Sequence, residues 1–194
     1  MKHSDLNLFK ARGEKITCLT AYDSSIAKLI DYCGVDVVLI GDSLGMVIQG
    51  LKNTRSVAMQ DMLYHTEIVA NSCQQALVIA DMPFQSYDSS ELALINAQNL
   101  VNAGADMVKI EGGQEHEEVF RVLSSNNINI CGHLGLQPQM VTESSEYKIQ
   151  GKDENSAKLI LSDALLLESL GISSLVLECI PSALAKEVSS RLNI

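Results

Sequence analysis

The chain has 194 residues, of which 46% are hydrophobic and 20% are charged, and this composition predicts one soluble globular domain with a sizeable core. The formal net charge is −10 and no basic stripe is present, which argues against nucleic acid and anionic membranes as partners. No apolar run reaches the length of about 20 residues that a membrane span needs, and residues 1–15 lack the pattern of a signal or transit peptide, so we expect a cytoplasmic protein.

Short β-rich runs alternate with helical patterns along the chain. The runs predicted as strands are Ile16–Tyr22, Val35–Asp42, Ala76–Pro83, Met107–Gly112, Ile128–Leu134 and Ser174–Ile180. The helices that follow them are predicted at residues 23–33, 59–72, 88–104, 114–124, 155–170 and 181–192, with long loops at 43–56 and 135–152. Strands that lack strict polar–apolar alternation, each followed by a helix, predict a parallel sheet covered on both faces.

Local signals set several of the predicted helix ends. Asp23 suits the cap of the first helix, and Gly34 suits its end. The apolar face of that helix is predicted to contain Ile26, Leu29, Ile30 and Cys33. The segment Asp88–Glu91 resembles a capping box, and Pro181 suits the first position of the last helix.

The cysteines form no CxxC pair and no disulfide framework. Most lie within or beside apolar runs, which predicts buried thiols in a protein from a reducing compartment. The five cysteines are Cys18, Cys33, Cys73, Cys131 and Cys179.

A polar side chain stands at or near the end of every predicted strand. These residues are Tyr22, Asp42, Asp81, Glu111, His133 and Glu178. In a (β/α) barrel the carboxyl ends of the parallel strands meet at one face, and barrel enzymes carry their chemistry there. Several carboxylates at one face need a cation, and oxygen ligands without a thiolate cluster favour Mg²⁺.

The predicted fold is α/β, a TIM barrel of the (β/α)8 type, with six βα units in one domain over residues 1–194. An open doubly wound sheet is the alternative, although no GxGxxG motif follows the first predicted strand. The chain stops at Asn193–Ile194, where a seventh strand would begin, so we expect a shortened version of a longer barrel that lacks its last two units.

An ordered set of motifs runs through the chain from about residue 16. The segments are Thr20–Asp23, Val38–Met46, Tyr64–His65, Ala80–Phe84, Met107–Gly113, Cys131–Pro138 and Leu175–Pro181. This set resembles the ketopantoate hydroxymethyltransferase family. The resemblance implies a (β/α)8 barrel in a decameric homo-oligomer, with Mg²⁺ as cofactor and 5,10-methylenetetrahydrofolate as cosubstrate. The implied reaction converts the 2-oxo acid 3-methyl-2-oxobutanoate to ketopantoate, on the route to pantothenate and coenzyme A.

The resemblance also implies the metal site. Asp42 and Asp81 match direct Mg²⁺ ligands, and Glu111 matches a third acid that acts directly or through water. The substrate would chelate the same ion through its keto and carboxylate oxygens, which makes Asp42 and Asp81 substrate neighbours as well. From local context alone, the alternative for Asp42 and for Asp81 is a turn or cap aspartate, and the alternative for Glu111 is a glutamate at a helix N-terminus.

Three more residues are predicted to bind substrate. Lys109 lies two positions before Glu111 and therefore faces the same side of its strand, where it would hold the substrate carboxylate. Ser43 matches a substrate-contacting residue of the family, and His133 stands at a strand end with either metal or substrate as its partner. A solvent-facing lysine, an ordinary loop serine and a hydrogen-bonded core histidine are the alternatives.

Glu178 is predicted to be the general base, because burial in an apolar strand would raise its pKa toward the range that suits proton transfer. In this hypothesis Glu178 removes the C3 proton of 3-methyl-2-oxobutanoate, and Mg²⁺ stabilises the resulting enolate. The enolate carbon then attacks the methylene carbon of the folate. A structural glutamate paired with a cation such as Lys109 is the alternative.

Two other functions are compatible with the sequence. A different 2-oxo acid enzyme of the phosphoenolpyruvate mutase and isocitrate lyase group is one, because Gly41–Gly45 fits that group loosely. The matches at Cys131–His133 and Glu178–Pro181 favour the hydroxymethyltransferase. An inactive or purely structural shortened relative is the second alternative.

Overall fold

The computed structural model describes residues 5–143 and 146–194. Its strands are β1 (Cys18–Thr20), β2 (Val37–Ile40), β3 (Leu77–Asp81), β4 (Met107–Glu111), β5 (Ile130–Gly135) and β6 (Ser174–Glu178). Its helices are α1 (Asp5–Arg12), α2 (Ser24–Tyr32), α3 (Leu44–Val47), α4 (Met59–Ala70), α5 (Ser90–Asn102), α6 (Glu117–Ser125), α7 (Glu154–Ser169) and α8 (Ser182–Arg191). Short 3-10 turns cover Gln114–His116 and Pro138–Met140. Among the described residues, no helix is long and apolar enough to cross a membrane.

The six strands form one sheet in the order β1-β2-β3-β4-β5-β6, and every neighbouring pair is parallel. Each strand therefore pairs with the next one along the chain, as in the wall of a (β/α) barrel. The prediction of six βα units in a partial barrel is confirmed. The doubly wound alternative is wrong, because that topology reverses its strand order in the middle of the sheet.

Alternate residues along each strand pack on opposite faces of the sheet. Residues such as Val78 and Ala80 join the large core between the sheet and its helices, whereas Leu77 and Ile79 join a second cluster on the inner face. That inner cluster contains Leu6, Val37, Leu77, Ile79, Met107 and Cys131. The next inner-face positions toward the carboxyl ends of the strands are therefore polar ones, and this spacing brings the predicted site residues together.

The predicted ends of α2 are confirmed, but its predicted buried face is wrong in part. Asp23 caps the helix by accepting from the backbone N–H groups of Ser25 and Ile26. Ala27 and Ile30 are buried, whereas Ile26 and Leu29 are exposed. Asp31 is buried on the same side because its carboxylate accepts three backbone N–H groups of residues 74–76.

Two other helix starts differ from the prediction by one residue. Ser89, rather than Asp88, caps α5, and its hydroxyl oxygen accepts from the N–H of Leu92. Pro181 is the cap of α8 rather than its first helical residue. The loop predicted at residues 43–56 also contains the one-turn helix α3, which begins directly after the site residue Ser43.

The prediction that the cysteines are buried is wrong for three of the five. Cys131 is buried in β5 and Cys73 is half-buried, whereas Cys18, Cys33 and Cys179 are exposed. Each exposed thiol has a structural reason for its exposure. Cys18 lies in the edge strand β1, Cys33 is the cap at the end of α2, and Cys179 follows the edge strand β6.

Candidate active site

Lys109 is the centre of a buried charged cluster at the carboxyl ends of β2 to β5. Its ammonium Nζ lies 3.0 Å from Asp81 Oδ1, 3.9 Å from Glu111 Oε1 and 3.4 Å from His133 Nδ1. All four residues are buried. The expectation that Lys109 faces inward beside Glu111 is confirmed. Every second residue of β4 lies on the inner face, and these residues are Met107, Lys109 and Glu111.

Backbone geometry fixes Asp81 against the end of β2. The N–H of Asp42 donates to Asp81 Oδ2 at 3.1 Å. The glycine at position 41 leaves room for the neighbouring serine, because a Cβ there would lie 2.8 Å from Ser43 Oγ, whereas its 3.6 Å distance to Asp81 Oδ2 would be an ordinary contact. Asp81 Oδ1 is close to the Lys109 ammonium but lacks hydrogen-bond alignment, so this buried oxygen is ion-paired without being hydrogen-bonded.

The acids of the cluster outnumber its lysine, so the cluster carries more negative than positive charge when Asp42, Asp81 and Glu111 are ionised. Burial, together with the neighbouring Asp81, raises the pKa of Asp42 to about 7 against the opposing effect of Lys109. Burial also raises the pKa of Asp81, although Lys109 opposes the shift. For Lys109, burial favours the neutral amine, but the surrounding carboxylates outweigh it and raise the pKa, so that the lysine stays protonated at neutral pH. The site can therefore accept a further positive charge.

His133 connects this cluster to Glu178 at the end of β6. His133 Nδ1 lies 3.5 Å from Glu111 Oε1, and His133 Nε2 lies 3.2 Å from Glu178 Oε2, although that second contact is not aligned as a hydrogen bond. Burial lowers the pKa of His133, but its contacts with Glu111 and Glu178 outweigh burial and raise it. The imidazole is thus held between two carboxylates.

The expectation that Glu178 is buried is wrong. Its side chain is 37% exposed, because β6 is an edge strand of the sheet and one flank of the glutamate faces solvent. The alternative pairing of Glu178 with Lys109 is not what the structure shows either, since the close neighbour of the glutamate is His133. Glu178 therefore has both a buried partner and open space beside it.

Ser43 lies at the edge of the cluster and contacts a residue that the sequence left outside the site. Its Oγ is 2.7 Å from the phenolic oxygen of Tyr22, which follows β1. The carbonyl oxygen of Tyr22 in turn lies 2.6 Å from His65 Nδ1. Tyr22 and His65 thus support the position of Ser43. Both belong to the motif set, and Tyr22 also stands at the end of a predicted strand.

Gln139 is the buried polar residue that sequence reasoning missed. It lies in the 3-10 turn Pro138–Met140, within a segment predicted as loop, and its amide Nε2 donates to Asp42 Oδ2 at 2.9 Å. Its backbone N–H donates to Glu111 Oε2 at 3.1 Å. A glutamine in a polar loop gives no periodicity signal, so burial of this side chain could not be read from the pattern.

The residues fit a divalent cation by their chemistry. Among residues 5–143 and 146–194, no group of three or more histidine, cysteine, aspartate or glutamate side chains is arranged so that it could hold a metal ion by itself. Mg²⁺ does not require such a cage, because it is usually held by one or two carboxylates together with water and substrate oxygens. Asp42 and Asp81 supply two adjacent carboxylates, and the ionised cluster has negative charge in excess.

Solved structures of low sequence identity share the fold. A putative phosphonomutase from Burkholderia cenocepacia J2315 superposes with a TM-score of 0.74 and 14% identity, over 97% of this chain and 80% of the other. A 2,3-dimethylmalate lyase of the phosphoenolpyruvate mutase and isocitrate lyase superfamily gives a TM-score of 0.69 and 15% identity, over 98% of this chain and 68% of the other. At such identities the likeness extends to the fold alone.

Sequence comparison gives a more specific result. A 3-methyl-2-oxobutanoate hydroxymethyltransferase from Ruthia magnifica subsp. Calyptogena magnifica is 59% identical over 189 residues, which cover 97% of this chain and 73% of the relative. The enzyme of the same name from Methylococcus capsulatus is 49% identical and covers 98% of this chain and 71% of the relative. The family model described as ketopantoate hydroxymethyltransferase matches residues 1–194. With a match of this extent and identity, the chain belongs to the ketopantoate hydroxymethyltransferase family.

Proposed function

We propose that this chain transfers a hydroxymethyl group to 3-methyl-2-oxobutanoate and so forms ketopantoate, with 5,10-methylenetetrahydrofolate as donor and Mg²⁺ as cofactor. The observation that carries the proposal is the buried cluster around Lys109, which meets Glu178 through His133 at the carboxyl ends of the strands. The names of the relatives supply the reaction. The cluster supplies chemical groups that suit the steps of this reaction.

Asp42 and Asp81 would hold Mg²⁺ directly. Glu111 would act directly or through water; its Oε2 accepts the Gln139 N–H, and its Oε1 lies beside Lys109 and His133. When bound, Mg²⁺ would act as a Lewis acid toward the keto oxygen of the substrate and so make its C3 proton more acidic. The surplus negative charge of the cluster supports this assignment.

Lys109 and Ser43 would bind and orient the 2-oxo acid. Lys109 is a permanent cation in a water-excluded site, and such a cation attracts a carboxylate more strongly than an exposed lysine does. Its ion pair with Asp81 keeps the ammonium at a fixed place. Ser43 offers a hydroxyl that is already oriented by Tyr22.

Glu178 would be the general base. One carboxylate oxygen faces the His133 ring, and the exposed flank leaves room for substrate. His133 carries a proton on Nε2 both as the imidazolium and as the neutral tautomer that accepts from Lys109 through Nδ1, so in either form an N–H faces Glu178. The C3 proton moves to a Glu178 oxygen, and the electron pair left on C3 forms the new bond to the methylene carbon of the donor as the bond from that carbon to one folate nitrogen breaks. Water then replaces the second carbon–nitrogen bond, which releases tetrahydrofolate and leaves the hydroxymethyl group on C3.

A cavity beside Glu111 is our candidate for the ring of the folate donor. Its volume is about 320 Å³, and Phe84, Tyr87 and His116 contribute rings to its lining. The rings of Tyr87 and His116 meet edge to face with centroids 5.1 Å apart. Aromatic walls suit a planar heterocycle, and the position next to Glu111 would bring the methylene carbon to the substrate.

The first test is exchange of the C3 proton of 3-methyl-2-oxobutanoate in D₂O, followed by proton NMR without folate. We expect loss of the C3 signal that depends on Mg²⁺ and is at least about a hundredfold slower in Glu178→Gln, as for removal of a general base. Unchanged exchange in a folded Glu178→Gln variant would contradict the assignment of the base. Absence of exchange in the folded wild-type protein would favour the inactive alternative.

A second assay separates the hydroxymethyltransferase from other 2-oxo acid enzymes. Formation of ketopantoate should require both the 2-oxo acid and 5,10-methylenetetrahydrofolate, whereas an enzyme of the phosphoenolpyruvate mutase type would turn over its substrate without folate. Substrate consumption that does not respond to the folate would therefore contradict the proposed reaction, even if the proton exchange occurs.

A further inference from the structure

Gln139 uses all of its polar groups to connect the ends of three strands. It is 1% exposed, and its Nε2 donates to both Asp42 Oδ2 and the carbonyl oxygen of Met82 at 2.9 Å. Its backbone N–H donates to Glu111 Oε2, and its carbonyl oxygen accepts from Arg55 Nη1 at 2.9 Å. The turn that carries Gln139 is thus tied to residues that follow β2 and β3 and to the last residue of β4.

The orientation of the Gln139 amide is fixed by its neighbours. The atom that faces two acceptors, Asp42 Oδ2 and the Met82 carbonyl, must be the NH₂ group. The remaining Oε1 accepts from the phenolic O–H of Tyr87 at 2.5 Å, and Tyr87 is itself buried. Exchange of the amide oxygen and nitrogen would place an oxygen against two other oxygens, so only one arrangement is satisfied.

These contacts engage one oxygen of each of two site carboxylates. Asp42 Oδ2 and Glu111 Oε2 accept from Gln139, while Glu111 Oε1 lies near Lys109 and His133. We propose that Gln139 is a positioning residue that sets the orientation of Asp42 and Glu111 for a divalent cation, and that Tyr87 fixes the Gln139 amide for this purpose. The inference rests on the proposed function only in taking the cation to bind at these acids.

The physical reason is that a single carboxylate rotates easily about its last torsion. A hydrogen bond to one oxygen restricts that rotation, so the other oxygen keeps one direction before the cation arrives. A glutamine suits this position because it donates to an acid without adding charge.

The test uses Gln139→Met, which keeps the length of the side chain and removes its polar atoms. Mn²⁺, which prefers oxygen ligands as Mg²⁺ does, is titrated into the protein without substrate. Electron paramagnetic resonance and calorimetry measure its binding. We expect Gln139→Met to bind Mn²⁺ about tenfold or more weakly than wild type, the range seen when partners of metal ligands are removed. Tyr87→Phe should weaken binding by about two- to tenfold, as for loss of one hydrogen bond.

Gln98→Met is the matched control, because Gln98 is exposed on α5 and the same substitution there should leave Mn²⁺ affinity unchanged. Thermal melts of all variants show which are folded at the titration temperature.

Equal Mn²⁺ affinity in wild type and folded Gln139→Met would overturn the inference alone. Absence of Mn²⁺ binding in wild type would overturn both the inference and the proposed cofactor. Weaker binding in Gln139→Met together with absence of proton exchange in wild type would support the inference and contradict only the reaction.

Discussion

At the scale of single residues, position along a strand was the informative signal. The sequence placed Asp81, Lys109, Glu111 and His133 at one end of a parallel sheet, and the structure gathers them because inner-face positions recur every second residue. Burial could not be predicted in the same way. Glu178 is more exposed than its apolar neighbours suggested, since exposure depends on which strand lies at the edge.

The raised pKa of Asp42 predicts how the stability of the metal-free protein depends on pH. Its folded pKa of about 7 lies above the unfolded value of about 3.9. Between these values the folded state binds a proton that the unfolded state lacks, so the contribution of Asp42 to stability is complete below about pH 4 and is lost as the pH rises toward 7. Urea unfolding in the presence of a chelator should show a loss of up to about 4 kcal/mol over this range.

Asp42→Asn supplies the comparison for that titration. The amide carries no charge at any of these pH values, so the decline between pH 4 and 7 should become smaller than in wild type. Other groups titrate in both proteins, and the difference between the two pH profiles isolates Asp42. Identical pH profiles for the two proteins would show that Asp42 does not carry the raised pKa.

At the scale of elements, the alternation of strands and helices was predictable and the contacts of the helices were not. The strands stand out because they are apolar on both faces, as a covered parallel sheet requires. Helix α5 shows the difficulty, since it buries Ala93, Ala97 and Leu100 while the larger Leu92 and Ile95 are exposed. The buried alanines allow close packing of the helix but are less hydrophobic than the exposed leucine and isoleucine, so the sequence pattern points to the wrong face. The 3-10 turn of Gln139 had no signal at all.

Gly135 provides a prediction for the contact between β5 and β6. It has a φ of +96°, and a Cβ at this position would lie 2.1 Å from the carbonyl oxygen of Glu178. In Gly135→Ala, crowding of about 1–3 kcal/mol adds to a conformational cost of about 1–2 kcal/mol. Because the displaced backbone belongs to the proposed base, proton exchange should also slow.

Gly34→Ala is the control that separates the conformational cost of a positive φ from the crowding expected in Gly135→Ala. Gly34 has a comparable φ of +75°, but nothing lies within 4 Å of the position of its Cβ. This variant should lose only the conformational part, about 1–2 kcal/mol, with proton exchange intact. Chemical unfolding and the exchange assay measure both quantities. An equal effect of the two substitutions on stability and exchange would show that the approach to Glu178 does not matter.

At the scale of the whole molecule, the sheet has its polar cluster at one end and an apolar cluster behind it. On β3, β4 and β5 the site residue lies two positions after Ile79, Met107 or Cys131 and therefore on the same face of the sheet. The inner cluster thus packs next to the buried charges, on the side toward the amino ends of the strands. Helix α1 contributes Leu6 to this cluster, and Lys10 on the same helix donates to the carbonyl oxygens of Leu192, at 2.9 Å, and Ile194. The amino-terminal helix thereby links the inner face to the residues that follow α8.

This link predicts that Leu6 stabilises the fold without taking part in cation binding. Leu6 is 6% exposed, whereas Leu8 on the same helix is 51% exposed. Leu6→Ala should lower the free energy of unfolding by about 2–4 kcal/mol, because it removes apolar contacts and leaves a cavity, while Leu8→Ala should change it by less than about 0.5 kcal/mol. Mn²⁺ affinity should stay at the wild-type value in both variants under folding conditions, since the inner cluster separates Leu6 from the carboxylates. Equal stability of the two variants would mean that α1 is not part of the core, and a weakened Mn²⁺ affinity in folded Leu6→Ala would mean that the inner cluster transmits its packing to the site.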